Sequence, residues 1–369
     1  MSKILTFFKK EPVLCIAALA ALVSCCFVPP DRAYPGYVDL RTIALLYCLM
    51  VVVAGAGKAG AFTALANRLC TRAKNSRALT LVLVLLCFFS AMLITNDVAL
   101  LTFVPFAVTV LAMSGQSERT APVVVLQTVA ANLGSMLTPP GNPQNIHLFS
   151  CYEMSAGAFF SATLPVCAVS LVLLAALCLR MKKTETAVEF GACPAVDKKL
   201  LLVSGGLFVL SLLVVFRVLP WPVLLAAVLV VYFLLDRSLL GKADFLLLLT
   251  FVCFYVFVGN LGRIDAVRTA LARLLTGREL LVSALASQVI SNVPAAVLLS
   301  GFTENGRALL LGTNIGGLGT PIASLASLIS LKLYSRSDGA ESGRYMKLFL
   351  LLNFALLIVL LLFARFVLL

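Results

Sequence analysis

Polar interruptions inside long apolar runs constrain this chain more than any other feature. Runs of about 20 residues without charge recur along its length, enough for α-helices to cross a hydrocarbon core of roughly 30 Å. The chain has 369 residues, 61% hydrophobic and only 12% charged. A soluble chain carries about 25% charge. The deficit excludes a water-exposed enzyme domain, and continuous rather than alternating apolar segments exclude a transmembrane β-barrel. The expected fold class is an all-α polytopic membrane protein.

Other classes fall on the same reading. Twenty-nine Lys and Arg against 16 Asp and Glu leave a formal charge of +13. In a membrane chain this excess belongs to cytoplasmic loops facing anionic lipid, so nucleic acid is not expected as a partner. Eleven cysteines without metal-ligand spacing read as small buried hydrophobes, and a lone histidine, His147, excludes a multi-histidine site. No transition metal and no organic cofactor is expected. The first apolar run, 12–28, has no convincing cleavage site before Pro29-Pro30 and reads as a retained span. Lys3, Lys9 and Lys10 put the N-terminus in the cytoplasm.

Five segments follow: an N-terminal span and outer loop, 1–38; a first repeat, 39–180; a charged cytoplasmic linker, 181–199; a second repeat, 200–345; and a last span, 346–369. About nine full spans are expected, with two re-entrant hairpins and two broken helices. The first hairpin is 78–113, apolar except for Thr95-Asn96-Asp97, and is read as two short half-spans. The first broken span is 120–150, interrupted by Thr138-Pro139-Pro140-Gly141-Asn142-Pro143. Proline removes a backbone donor and glycine frees the chain, so this helix breaks. The second hairpin, 281–303, carries Ser291-Asn292-Val293-Pro294. The second broken span, 308–331, carries Asn314, Gly316, Gly317, Gly319, Thr320 and Pro321.

The halves repeat. Ile94-Thr95-Asn96 recurs 196 residues later as Ile290-Ser291-Asn292. Asn132-Leu133-Gly134 with Thr138-Pro139 recurs 182 later as Asn314-Ile315-Gly316 with Thr320-Pro321. From a cytoplasmic N-terminus the first hairpin opens inside and the second outside. The repeats are then inverted, the organisation of secondary transporters that bind at the membrane midplane. Arg263, Arg268, Arg273 and Arg278 oppose a simple positive-inside count, and a duplicated interfacial helix accounts for them.

Hydroxyl, amide and carbonyl oxygens at membrane depth suit a hard cation, and half-helix N-termini suit an anion. Two coupling-ion neighbourhoods are expected: Thr95, Asn96 and Asp97 with Asn132, Gly134 and Thr138, and Ser291 and Asn292 with Asn314, Gly316 and Thr320. The substrate is placed between the tips, against Thr95, Asn96, Asn142, Ser291 and Asn292. Asp97 is the one carboxylate assigned to membrane depth, where an ionisable group is a functional candidate. The competing reading is that Thr95, Asn96 and Asp97 only cap the returning helix. Asn142, Gln144 and Asn145 either face substrate or satisfy freed backbone. His147 is placed near the outer end of the broken span in a loop or interfacial role, and Trp221 anchors an outer turn. The Gly316–Gly319 segment lacks the strand and the Lys-Ser/Thr tail of a nucleotide loop.

Those four motifs, Thr95-Asn96-Asp97-Val98-Ala99-Leu100, Gly134 with Thr138 to Asn145, Ser291-Asn292-Val293-Pro294-Ala295 and Gly312 to Gly317, resemble the ion transporter superfamily. Its members include citrate-transporter-like permeases, arsenite efflux permeases, divalent anion/sodium symporters and one type of sodium/proton antiporter. The chain most resembles small bacterial citrate-transporter-like inner-membrane permeases. The resemblance implies an elevator-type carrier, usually a homodimer, moving a small anion with Na⁺ or H⁺ as coupling ion. Symporters of this kind carry serine-asparagine-threonine at both tips, whereas here the third position is Asp97 in one and Val293 in the other. The alternatives are a Na⁺/H⁺ antiporter using Asp97, an arsenite-type efflux permease, and a non-transporting membrane scaffold.

Overall fold

The computed structural model describes residues 11–185 and 195–369. Lys3, Lys9 and Lys10 lie outside the described residues, as does the middle of the linker. The described chain is helical apart from one isolated bridge between Asn75 and Glu185. Seven helices are long and apolar enough to cross a membrane, and shorter apolar helices accompany them.

Helix starts are set by short polar side chains that accept the otherwise unpaired first amides. Asp39 accepts from Thr42 N–H ahead of α2 (Leu40–Lys58), Asn75 from Ala78 ahead of α4 (Ser76–Ile94), and Ser155 from Ala158 ahead of α8 (Ala156–Arg180). Asp197 and Asp244 do the same for α9 (Lys198–Val215) and α11 (Phe245–Gly262). Before these lies α1 (Pro12–Phe27), and α10 (Trp221–Leu235) follows α9 with Trp221 half-buried at its start. The amphipathic helices α3 (Ala61–Cys70) and α12 (Asp265–Leu275) enter each hairpin. Arg263, Arg268, Arg273 and Arg278 are all exposed along and beside α12, and Arg263 pairs with Asp31 at 2.8 Å.

The first hairpin is α4 and α5 (Asn96–Met113), which pack on each other. Its arms have 19 and 18 residues, each of spanning length, so the half-span expectation does not hold for their length. The three-residue interruption reduces to a one-residue break, because Asn96 and Asp97 already lie in α5. The second hairpin is shorter: α13 (Glu279–Ile290) has 12 residues and α14 (Asn292–Ser300) has nine. The first broken span is α6 (Thr120–Ser135), a turn at Pro139–Gly141, and α7 (Pro143–Cys151). The second is α15 (Gly306–Ile315), a turn at Pro321–Ala323, and α16 (Leu325–Ser335). α17 (Ser342–Phe363) closes the chain.

The helices pack as two groups. In one, α1 lies on α11, and α2 lies on α9 and α10. In the other, α6 is wrapped by α4, α5, α8, α16 and α17, while α13, α14 and α15 pack together. The groups meet where α2 touches α7 and α11 touches α14. Outward faces remain apolar, with Leu202, Leu234 and Phe366 among the most exposed side chains, as a lipid-facing surface requires.

The linker begins as an ordered strap on the first hairpin's open end. Ser76 N–H donates to Thr184 O at 3.0 Å, and Arg119 Nη2 donates to Lys182 O at 2.7 Å. Its far side is fixed to the other group, where Asp197 N–H donates to Ala59 O. The ten described cysteines are free.

Candidate functional site

Both hairpin tips use the same unusual backbone. Thr95 has φ 68° and ψ 151°; Ser291 has φ 73° and ψ 155°. This region belongs almost wholly to glycine, and holding another residue there costs on the order of 1–3 kcal/mol. Two hydroxyl residues 196 positions apart carry that strain at matching points. Neither hydroxyl caps the helix that follows. The next residue supplies the amide: Asn96 Oδ1 accepts from Asp97 N–H at 3.0 Å, and Asn292 Oδ1 accepts from Val293 N–H at 2.9 Å.

Each broken helix presses on one arm of its own hairpin. A Cβ on Gly134 would stand 2.0 Å from Phe88 O, and one on Gly316 would stand 2.8 Å from Ala284 Cα. Only glycine allows these approaches. Beyond each break a threonine ties back to the same arm. Thr138 Oγ1 donates to Met92 O, and Thr320 Oγ1 donates to Gln288 O at 3.0 Å. Phe88 with Ala284 and Met92 with Gln288 are again 196 apart, while the glycines and threonines are 182 apart. Two offsets survive because each repeat keeps its internal contacts while the second hairpin is shorter.

The two neighbourhoods expected from sequence join into one lattice. Asn96 Nδ2 donates to Asn132 Oδ1 at 3.1 Å, which brings two residues of the first neighbourhood together. The same Asn132 Oδ1 accepts from Ser324 Oγ of the second repeat at 2.9 Å. Reciprocally, Asn314 Oδ1 accepts from Asn142 Nδ2 of the first repeat at 3.0 Å, and Asn314 Nδ2 donates to Asn145 Oδ1 at 2.7 Å. Ser324 and Asn142 each immediately precede a post-break helix, again 182 residues apart. Asn292 Nδ2 lies beside Gly317, 2.9 Å from where a Cβ would stand. Asn292 does not bond to Asn314; its neighbour Ser291 reaches the second break instead, with Oγ donating to Ala323 O at 3.4 Å.

Asn145 satisfies freed backbone: its Nδ2 faces the carbonyls of Ser135, Met136 and Thr138 at 3.0–3.3 Å. Asn142 caps α7 and reaches Asn314, while Gln144 is buried. Asp97 sits in the first turn of α5, where the helix dipole favours a carboxylate, and its Oδ1 is buried without a hydrogen-bond partner. His147 is placed differently from expectation. It is 3% exposed inside α7, with Nδ1 3.0 Å from Tyr255 Oη and Nε2 2.9 Å from Ser300 Oγ. It is therefore a core bridge and not an interfacial group, because three helices converge on it.

Sequence reasoning passed over Gln288, Gln127, Ser324 and Ser327. Gln288 Nε2 donates to Gly316 O and Leu318 O, and its Oε1 accepts from Thr320 N–H, so one side chain shapes the second break. Gln127 Nε2 reaches Leu83 O and Phe103 O, tying α6 to both arms of the first hairpin. An isolated amide in an otherwise apolar membrane helix was the available signal. Ser324 and Ser327 offered none, since small hydroxyl residues are common in membrane helices.

The lattice is built from amides, hydroxyls and carbonyls, with Asp97 the only formally charged side chain among the tip residues. Among the described residues, the buried charged side chains are Arg119 and Glu279, each at a hairpin's open end. A cavity of about 670 Å³ lies at the foot of the second hairpin against Arg268, Arg273, Glu279 and Glu304, away from the tips. No three His, Cys, Asp or Glu side chains cluster among the described residues as a transition-metal site requires.

Comparison with known proteins bears on what this architecture does. Residues 4–304 match the citrate transporter family, CitMHS. The inner membrane protein YbiR of Escherichia coli is 30% identical over 317 residues, covering 83% of each chain. The uncharacterized transporter MJ0456 of Methanocaldococcus jannaschii is 32% identical over 293 residues, 79% of this chain and 80% of its own. The crystal structure of the YdaH transporter of Alcanivorax borkumensis shares the fold, with a TM-score of 0.58 at 14% identity over 90% of this chain and 86% of that one. The chain belongs to the citrate transporter family and is a multi-pass membrane transporter of a small solute, not an enzyme.

Proposed function

We propose that the chain is a secondary active transporter of a small anion, a carboxylate or oxyanion, coupled to Na⁺ or H⁺ through elevator-type alternating access. The observation that carries this reading is the pair of strained hydroxyl tips, Thr95 and Ser291, each followed by an asparagine at the break of a hairpin. Backbone strain of this kind persists where surrounding structure enforces it, and it clusters at binding sites. Substrate binds between the tips at Thr95, Asn96, Ser291, Asn292 and Asn142. The coupling ion uses Thr95, Asn96, Asp97, Asn132, Gly134 and Thr138 in one repeat. In the other it uses Ser291, Asn292, Asn314, Gly316 and Thr320. The protein works as a homodimer in a bacterial inner membrane with its N-terminus in the cytoplasm. YbiR, an inner membrane protein by name, supports the location.

Electrostatics sets the order of binding. An anion beside ionised Asp97 is repelled, strongly so in a low-dielectric interior. A sodium ion or proton at Asp97 removes that repulsion, so the coupling ion and the anion raise each other's affinity by the same factor. The group holding both tips then moves against the group of α1, α2, α9, α10 and α11.

A second reading is efflux of an undissociated oxyacid, as in arsenite-type permeases. The absence of Lys and Arg from the tip lattice favours it, since amides and hydroxyls bind a neutral hydroxylated solute without a counter-charge. Proteoliposomes separate the readings. Uptake of labelled citrate, malate, arsenite or phosphate is measured under Na⁺ and pH gradients, for the wild type and for Asp97→Asn. Symport requires gradient-driven anion uptake that loses its ion dependence in Asp97→Asn. Cation-driven pH change without any solute supports Na⁺/H⁺ antiport. Unchanged ion and pH dependence in Asp97→Asn removes the role given to Asp97.

A further inference from the structure

The side-chain hydrogen bonds that join the two helix groups converge on one short element. Among the described residues they are His147 with Tyr255, and Arg217 with Phe149 and Glu153. All end on α7 or the turn after it. Elsewhere the polar bonds of the first group stay within it: Arg41 to Val214, Tyr47 to Leu240, and Asn260 to Ser24 and Tyr34.

Proton bookkeeping defines the His147 contact. Ser300 Oγ–H donates to Val297 O at 3.0 Å, so Ser300 Oγ accepts from His147 Nε2–H. Nδ1 is then the acceptor, and Tyr255 Oη–H donates to it. This tautomer is assigned from the bonding pattern. The neutral ring thus spends its donor on α14 of the second hairpin and its acceptor on α11 of the opposite group. The second contact is electrostatic. Arg217, at φ 62° in the turn between α9 and α10, points Nη1 at Glu153 O (3.1 Å) and Nη2 at Phe149 O (3.2 Å). These carbonyls close the C-terminal end of α7, where the helix dipole favours a cation.

The second repeat has no equivalent. The position 182 residues after His147 is Ile329, in α16, which packs on α5 and α6 within its own group. An inverted-repeat carrier exchanges the roles of its repeats between its two access states. The state in which α16 takes the place of α7 then lacks these directional bonds.

We propose that His147, Tyr255 and Arg217 form a one-sided latch that biases the transporter toward the access state described here. His147 and Arg217 are positioning residues: they act on the equilibrium between states and do not touch substrate. The inference rests on the moving-group reading above.

Spin-label distance measurements test both separately. The full-length protein, with all eleven cysteines replaced, is labelled at Val172→Cys on α8 and Leu202→Cys on α9, both exposed. The two labels report one helix group against the other in nanodiscs without substrate. Tyr255→Phe removes one hydroxyl and keeps the ring. It is expected to shift the ratio of two distance populations by about fivefold, the effect of one lost neutral hydrogen bond. Arg217→Gln shifts the ratio in the same direction. Tyr47→Phe, whose hydroxyl bond stays inside one group, leaves it unchanged. Two populations in a ratio that neither Tyr255→Phe nor Arg217→Gln alters overturn the latch and leave the moving-group reading standing. A single population in every protein overturns that reading and the latch with it.

Discussion

Gly134→Ala tests whether the broken helix must lie directly on the hairpin backbone. The new Cβ would stand 2.0 Å from Phe88 O, 2.8 Å from Phe88 C and 2.9 Å from Phe88 Cα. These are main-chain atoms of α4, so no rotamer change relieves the clash. The helices must part by about 1 Å, at the upper end of the ~1–3 kcal/mol range for overpacking. Two residues earlier, Asn132 holds Asn96 at 3.1 Å, and a shift of that size breaks the bond. We expect a stability loss of about 3 kcal/mol together with loss of transport. Gly206→Ala in α9 is the counter-experiment, because no atom lies within 4 Å of its Cβ. It gains about 0.5–1 kcal/mol from backbone entropy. Thermal melts in detergent, read by a thiol-reactive dye at buried Cys87 and Cys167, measure both. Gly316→Ala repeats the loss, since its Cβ meets Gly312 O at 2.6 Å and Ala284 Cα at 2.8 Å. A Gly134→Ala melt coincident with wild type, or an equal loss in Gly206→Ala, refutes the reasoning.

Asn145→Leu takes the side-chain donor from the buried Ser135 and Met136 carbonyls and one of two acceptors from Asn314 Nδ2, costing about 1–3 kcal/mol in the same melts. An unchanged melting temperature would mean that the break is held by other groups. At the membrane face, the hydrogen bond from Lys58 pushes Asp236 down to about 2 from its ordinary 3.8. A depressed carboxylate stabilises the fold above its unfolded value and loses that contribution as pH falls through the folded one. The melting gap between wild type and Asp236→Asn is therefore constant near neutrality, narrows with added salt, and closes between about pH 4 and pH 2. A gap that persists at pH 2 would show that packing, not charge, sets it.

The sequence made legible what depends on local backbone chemistry. Thr95-Asn96 and Ser291-Asn292 marked hairpin tips, because polar groups in the middle of apolar runs require a protein-lined surrounding. Asn132 to Thr138 and Asn314 to Thr320 marked broken helices through proline and glycine. What it did not carry was reach. The arms of the first hairpin are of spanning length although a polar tip suggested short ones, since Asn96 and Asp97 are absorbed into the helix. Nor could two separate neighbourhoods reveal that Asn132 and Asn314 each bond across to the other repeat. That contact depends on how the two breaks cross. His147 was misplaced for a related reason: a lone histidine in a nine-residue helix shows nothing of Tyr255 and Ser300, which are more than 100 residues away.

The closed lattice also bears on how tightly this site can hold cargo. Asn132 Oδ1, Asn314 Oδ1 and Asn314 Nδ2 already have partners in the described state. A solute that takes any of these atoms replaces a bond and does not add one, so its net gain is a difference between similar terms. Added affinity must come from atoms without a partner, and the fully buried one among the tip residues is Asp97 Oδ1. A cation or proton there adds an interaction, whereas an anion at the Asn132 or Asn314 amide exchanges one. On the proposed reading, binding energy concentrates in a coupling ion at Asp97, and the solute is held weakly enough to leave on the far side. Weak, exchange-based binding is what a carrier needs, because tight binding in one access state would deepen a well that the moving group has to climb out of.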